Sequence, residues 1–86
     1  MASYRVELTW SAEKDFRRIA KSQVATIYRE LESLANEPRP HGVKKLSGAE
    51  RTYRIRIGDY RVVYEIEDRV LLVLVIRVAH RKDVYR

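Results

Sequence analysis

Eighty-six residues with eighteen Lys and Arg, twelve Asp and Glu and no cysteine carry a formal net charge of +6. A chain of this length, read as one domain over residues 1–86, has room for one modest core that buries about 60% of its unfolded surface. Disulfides and thiol chemistry are excluded, a reducing cytoplasm is permitted, and no apolar run reaches the roughly 20 residues that cross a bilayer.

The N-terminus, with Arg5 and Glu7 inside an alternating segment, is unlike a signal peptide. The positive field favours a polyanionic partner, whether nucleic acid, an acidic membrane surface or an acidic protein. Tyr4-Arg5-Val6-Glu7-Leu8 alternates with period two and predicts a first strand with Tyr4, Val6 and Leu8 on one face. Trp10 follows at the hand-over to a helix and is expected in the core. Ser11 offers an N-cap, and Glu13 falls in the first turn, where the helix dipole favours an acid. Ala12, Phe16, Ile19 and Ala20 recur at helical spacing, with Lys14, Arg17, Arg18 and Lys21 as a basic, solvated face. Ser22 offers a second cap, and Val24, Ile27, Tyr28, Leu31 and Leu34 or Ala35 continue the 3.6-residue pattern. Each helix is apolar along one stripe, so the two are expected to share a sheet as their floor. Pro38 and Pro40 end the second helix, residues 43–46 return towards the core, and Ser47-Gly48-Ala49 turns the chain again.

From Tyr53 to Tyr64 the chain alternates on both sides of Gly58-Asp59, which predicts a hairpin with a two-residue loop. In that register Ile57 faces Tyr60, Arg56 faces Arg61, Ile55 faces Val62, and Tyr53 faces Tyr64. One side is apolar or aromatic; the other carries Arg54, Arg56 and Arg61. Directly opposed guanidiniums repel at a cost of up to about 1 kcal/mol. An anion site needs that arrangement, yet the polar face of a half-wet sheet accounts for the same residues, and the alternation leaves both readings open. Glu67-Asp68-Arg69 then turns the chain into Val70 to Val78, apolar at both parities, the pattern of an internal strand covered on each face. Helices cover one face, and the tail or a partner is expected on the other. The tail itself, His80 to Arg86, either frays or lies beside the three arginines and completes one cationic cleft.

His41 and His80 stand on separate segments with no cysteine and no clustered carboxylate, so no metal and no cofactor is expected. No Gly-rich phosphate loop and no nucleophile elbow is present. The remaining set, several guanidiniums with a tyrosine and a histidine, suits phosphate. Arginine clamps phosphate oxygens bidentately and stabilises the extra charge of a pentavalent phosphorane. Tyr85 can stack on an unpaired base. With RNA as substrate the ribose 2′-hydroxyl already adjoins the scissile phosphate, and the protein has only to orient it and move protons.

Lys44-Lys45-Leu46-Ser47-Gly48, Tyr53-Arg54-Ile55-Arg56, Gly58-Asp59-Tyr60-Arg61-Val62-Val63-Tyr64 and His80-Arg81-Lys82-Asp83-Val84-Tyr85, in this order over nearly the whole chain, resemble the RelE branch of the RelE/ParE toxin superfamily. The matching fold is a small α+β domain. An N-terminal strand and a helical hairpin pack on one face of an antiparallel sheet completed by a three-strand meander, with the arginines on the other face. The resemblance implies the toxin of a type II toxin-antitoxin system: a cytoplasmic, cofactor-free endoribonuclease that cleaves mRNA in the decoding site of the ribosome, leaving a 2′,3′-cyclic phosphate. It also implies an acidic, inhibitory antitoxin held in a hetero-oligomer.

By position, Arg61 would stabilise the transition-state phosphate, Arg81 would protonate or support the leaving 5′-oxygen, and Tyr85 would orient the substrate. Lys44, Lys45, His80, Lys82 and Arg86 would contact RNA. Arg54 and Arg56 fall where better-studied members carry lysines, one of them proposed as general base. A guanidinium keeps its proton at neutral pH. The 2′-hydroxyl is therefore activated by charge stabilisation alone, the preferred reading, or by His80, Tyr85 or a ribosomal group. Alternatives on the same fold are a ParE-like inhibitor of DNA gyrase and a non-catalytic RNA- or partner-binding module. Replacing Arg61 or Arg81 by alanine is expected to relieve toxicity and, as a surface change, to leave the fold intact.

Overall fold

The computed structural model describes residues 3–82. The alternating N-terminal segment forms β1 (Arg5–Leu8), and two helices follow, α1 (Trp10–Phe16) and α2 (Lys21–Ser33). The chain returns through β2 (Lys44–Lys45), β3 (Thr52–Ile57), β4 (Tyr60–Glu67), a 3-10 turn at Asp68–Val70, and β5 (Leu72–His80). The sheet order is β1-β5-β4-β3-β2, with β1 parallel to β5 and the other neighbours antiparallel. The expected meander is present, extended by a two-residue edge strand on one side and by β1 on the other; the parallel pairing of β1 makes the sheet mixed.

Helix α1 begins two residues earlier than Ser11 suggested. Thr9 is its N-cap, and the Thr9 Oγ1 accepts the Ala12 N–H at 3.1 Å. Helix α2 starts behind Ala20 with no side-chain cap, so Ser22 does not serve as one. With the start fixed at Thr9, Ala12 and Phe16 take the core face. Trp10, two residues before Ala12 on a 3.6-residue turn, points the other way and is 67% exposed, not in the core as expected. Ile27, Leu31 and Leu34 of the second helical segment cover Ile57, Val62, Tyr64, Ile66, Val73, Val75 and Val78 of the sheet. Tyr28 is exposed at its edge but stacks on Phe16, ring centres 4.7 Å apart, and so ties the helices together.

The alternation of β5 breaks once. Register steps from Val63↔Arg77 to Tyr64↔Val75, leaving Ile76 unpaired in a β-bulge. The extra residue switches parity, so Val73, Val75 and Val78 all face the helices. Much of the apolar run at both parities is therefore explained by the bulge, not by two covered faces. Leu72 and Leu74 lie half-buried on the face away from the helices, between Arg5 and Glu7 of β1 and Glu67 and Glu65 of β4. Among the described residues no element covers that face.

A bulge frees ladder groups, and α1 takes them up. The Thr9 hydroxyl donates to the Ile76 carbonyl at 3.0 Å, while the Asp15 Oδ2 accepts the Val78 N–H at 2.8 Å and the Arg77 Nε at 2.9 Å. Helix and strand are thereby stapled at the irregular point. Removing the acceptor of a part-buried N–H costs about 1–3 kcal/mol. Asp15→Ala is expected to lower the unfolding free energy by that amount in urea denaturation, and Asp15→Asn, which keeps an acceptor oxygen, to lose less.

Candidate functional site

The turn at Gly58-Asp59 builds the site. Gly58 has φ +59° and Asp59 lies outside the left-handed region, the arrangement of a II′ hairpin turn with glycine in its first central position. The pairs are those read from the sequence: Ile57↔Tyr60, Arg56↔Arg61, Ile55↔Val62 and Tyr53↔Tyr64. With Ile57, Val62 and Tyr64 buried under the helices, period two sends Arg54, Arg56 and Arg61 to the opposite face. Strand β2 adds Lys44 opposite Arg54. Together with Gly42, these four basic side chains line a cleft of about 300 Å³. No carboxylate lines it among the described residues. Gly42 closes its rim at φ +92°, a conformation that favours glycine.

Arg61 differs from its neighbours in being only 9% exposed. It sits on an internal strand, between Arg56 on β3 and Ala79 on β5. The expectation that it is a surface position is corrected accordingly: a charge flanked on both sides by strands is screened less by water and acts more strongly on a neighbour.

The other expected residues distribute as follows. Arg81 extends the ladder of β5 to the hairpin turn, donating its N–H to the Asp59 carbonyl at 2.8 Å, with its Nε 3.9 Å from the Asp59 carboxylate. It stands beside the hairpin but is not among the residues lining the cleft. His80 pairs with Tyr60 and so shares the helix face, its ring edge-on to Tyr60 at 5.2 Å. Its Nδ1 accepts the N–H of Lys82, which is exposed. Lys45 pairs with Tyr53, at the parity opposite to Lys44. Tyr85 and Arg86 lie outside the described residues.

A network that sequence reading missed anchors the loop leading to Gly42. Arg39 donates to both Asp68 oxygens, at 3.3 and 2.8 Å, and its Nε donates to the Tyr53 hydroxyl at 3.2 Å. The Tyr4 hydroxyl donates to the same carboxylate at 2.5 Å, and Tyr64 donates to the Pro38 carbonyl at 2.8 Å. The Arg39 guanidinium, followed by the Tyr4 hydroxyl, holds the Asp68 carboxyl below the usual range. The bond to Asp68, then burial, raises Tyr4, and burial pushes Tyr64 up to about 12. The only signal for this cluster in the sequence was the Pro-containing loop itself; its partners come from three distant segments.

Chemically, a cleft lined by these four cations suits a phosphodiester and a state with one more negative charge. It offers no ordinary base, because guanidiniums and ammoniums are proton-loaded at neutral pH.

Residues 6–85 match the family model described as the ParE toxin of a type II toxin-antitoxin system, parDE. The toxin RelG of Mycobacterium tuberculosis is 31% identical over 84 residues, covering 96% of this chain and 97% of RelG. Among solved structures, the toxin-antitoxin complex RelBE2 from the same organism superposes with a TM-score of 0.83 at 30% identity, over 92% of this chain and 99% of that one. The archaeal RelE-RelB complex from Pyrococcus horikoshii OT3 gives 0.81 at 27%, over 94% and 98%.

The anchoring network predicts the pH dependence of stability. The depressed Asp68 contributes stabilisation that is present above the unfolded carboxyl value near about 4 and is lost as pH falls through its lower folded value. The raised Tyr64 contributes below its unfolded value of about 10 and loses that contribution as pH climbs towards about 12. Urea midpoints measured across pH should fall at both ends, with Asp68→Asn flattening the acid limb and Tyr64→Phe the alkaline one.

Proposed function

The chain belongs to the ParE toxin family of type II toxin-antitoxin systems, on its RelE branch, and we propose that it is an endoribonuclease that cuts mRNA on the ribosome and is silenced by an acidic antitoxin. The observation that carries the proposal is the cleft of Lys44, Arg54, Arg56 and Arg61 on the helix-free face, lined among the described residues by no carboxylate. A binding module needs positive charge somewhere; a phosphoryl-transfer site needs it converged where charge develops.

In the proposed reaction the ribose 2′-oxygen attacks the adjacent phosphorus and the P–O5′ bond breaks, leaving a 2′,3′-cyclic phosphate and a 5′-hydroxyl. Arg61, the least solvated cation of the cleft, stabilises the phosphorane. Arg54 and Arg56 hold the non-bridging oxygens and, with Lys44, the flanking phosphates. Arg81, at the turn end of the same hairpin, supports the leaving 5′-oxygen as it takes up a proton, and Tyr85 orients the base. The 2′-hydroxyl loses its proton to solvent or a ribosomal group, because charge stabilisation lowers the barrier without a protein base. No metal enters the scheme. A net charge of +6 favours an acidic antitoxin, and the RelE-RelB complexes provide the precedent for such an assembly.

Incubation with programmed ribosomes followed by primer extension tests this reading. Cuts within the A-site codon, insensitive to EDTA, are expected, and Arg56→Ala should reduce them by roughly 100-fold. For Arg61, Arg61→Lys accompanies Arg61→Ala, since the position is buried and the truncation can also cost stability. An intact message with blocked gyrase supercoiling would identify a gyrase inhibitor, and an intact message with neither effect a non-catalytic binder. In cells, expression without antitoxin should arrest growth, and co-expressed antitoxin should restore it.

A further inference from the structure

Beside α1 at the end of β5, with no lining residue in common with the arginine cleft, two depressions of about 160 and 290 Å³ share Asp15, Arg18 and Arg77. They form one groove between α1 and the end of β5. Trp10 stands at one end and His80 at the other. Trp10, Lys14 and Arg18 recur every fourth residue, and the Lys14 Nζ lies 4.5 Å from the centre of the Trp10 ring. Arg77 forms the facing wall.

The charge of this groove is not neutralised from within. Among the described residues Asp15 is the one carboxylate lining it, and its side chain is 11% exposed. Both its oxygens are engaged by Arg77 and one also by the Val78 N–H. Lys14 and Arg18 have no ion-pair partner among the described residues. Trp10, meanwhile, leaves two-thirds of its surface in water, although burying so large an aromatic would favour folding.

We infer that this groove binds a single strand of nucleic acid, with an unpaired base stacked on Trp10 and phosphates on Lys14, Arg18 and Arg77. An aromatic plane beside a row of cations meets both needs of a sugar-phosphate strand, because every base presents a π-face and every link a negative charge. An acidic peptide would use the cations and leave the ring idle. The site shares no lining residue with the proposed catalytic cleft, concerns binding only, and stands whether or not the cleft cuts RNA.

Trp10 is the sole tryptophan, so its fluorescence reports the groove directly. Titration of the full chain with a single-stranded decauridylate at low salt should quench that emission. The log–log salt slope should be about −2, the value for some three phosphates of a single strand. Quenching should persist in Arg54→Ala/Arg56→Ala and vanish in Lys14→Glu/Arg18→Glu, whose exposed positions leave the fold intact. In the Arg54→Ala/Arg56→Ala background, Trp10→Leu should weaken binding of a labelled oligonucleotide, read by anisotropy, by roughly 5- to 100-fold. Unquenched emission, quenching abolished by the Arg54 and Arg56 changes instead of those at Lys14 and Arg18, or equal quenching by polyglutamate overturns the inference. Message cleavage on the ribosome would still stand in each case, and its failure with quenching intact would remove the cleft proposal alone.

Discussion

The two-residue turn at Gly58-Asp59 fixes the register of β3 against β4, and the rest of the molecule follows from that register. A slip of one residue in β3 would exchange its faces, carrying Arg54 and Arg56 under the helices and releasing Ile55 and Ile57 into water. Burial of each large apolar side chain is worth about 1.5–3 kcal/mol, whereas the opposition of Arg56 and Arg61 costs at most about 1 kcal/mol. The apolar side therefore wins, and the arginine pair is tolerated. Turn chemistry and hydrophobic pattern select the same alignment, so the cationic cleft is a consequence of how the core is built.

At the other end of the sheet the pattern is broken and then repaired. The bulge at Ile76 lets β5 direct Val78 into the core after Val75, and the ladder groups it frees are taken by Thr9 and Asp15 of the helical segment. Thr9 has a double role, since the hydroxyl that donates to the Ile76 carbonyl also accepts the Ala12 N–H in the first turn of α1. One short helix is thus capped and docked by the same hydroxyl. The orientation of α1 follows, and with it the outward direction of Trp10.

The positive charge of the chain is sorted by these constraints. Arg39 and Arg77 are bound to Asp68 and Asp15 and serve as structural ties between segments. Arg51 pairs with Glu67 and Arg5 with Glu7 at the surface, where such pairs contribute little to stability. Four basic side chains line the cleft, and three line the groove beside α1 at the end of β5. The two sites are lined by different residues, so the chain presents separate positive surfaces to its surroundings.

The α+β architecture, the pairing of each residue across the hairpin and the common face of Arg54, Arg56 and Arg61 were determined by sequence, because a period-two pattern around a two-residue turn admits one register. The division of His80 from Arg54 and Arg56 follows from register across β4. Other features were decided by tertiary structure. Thr9 became the cap in place of Ser11 because it also reaches Ile76; the valines of β5 share a face because of a bulge; Trp10 stays in water because α1 is docked through Asp15. Arg61 is buried because strands lie on both sides of it. The physical reason is the same throughout. Alternation and turn preference are local and written in neighbouring residues, whereas burial, bulge repair and helix orientation depend on groups supplied by segments far apart in the chain.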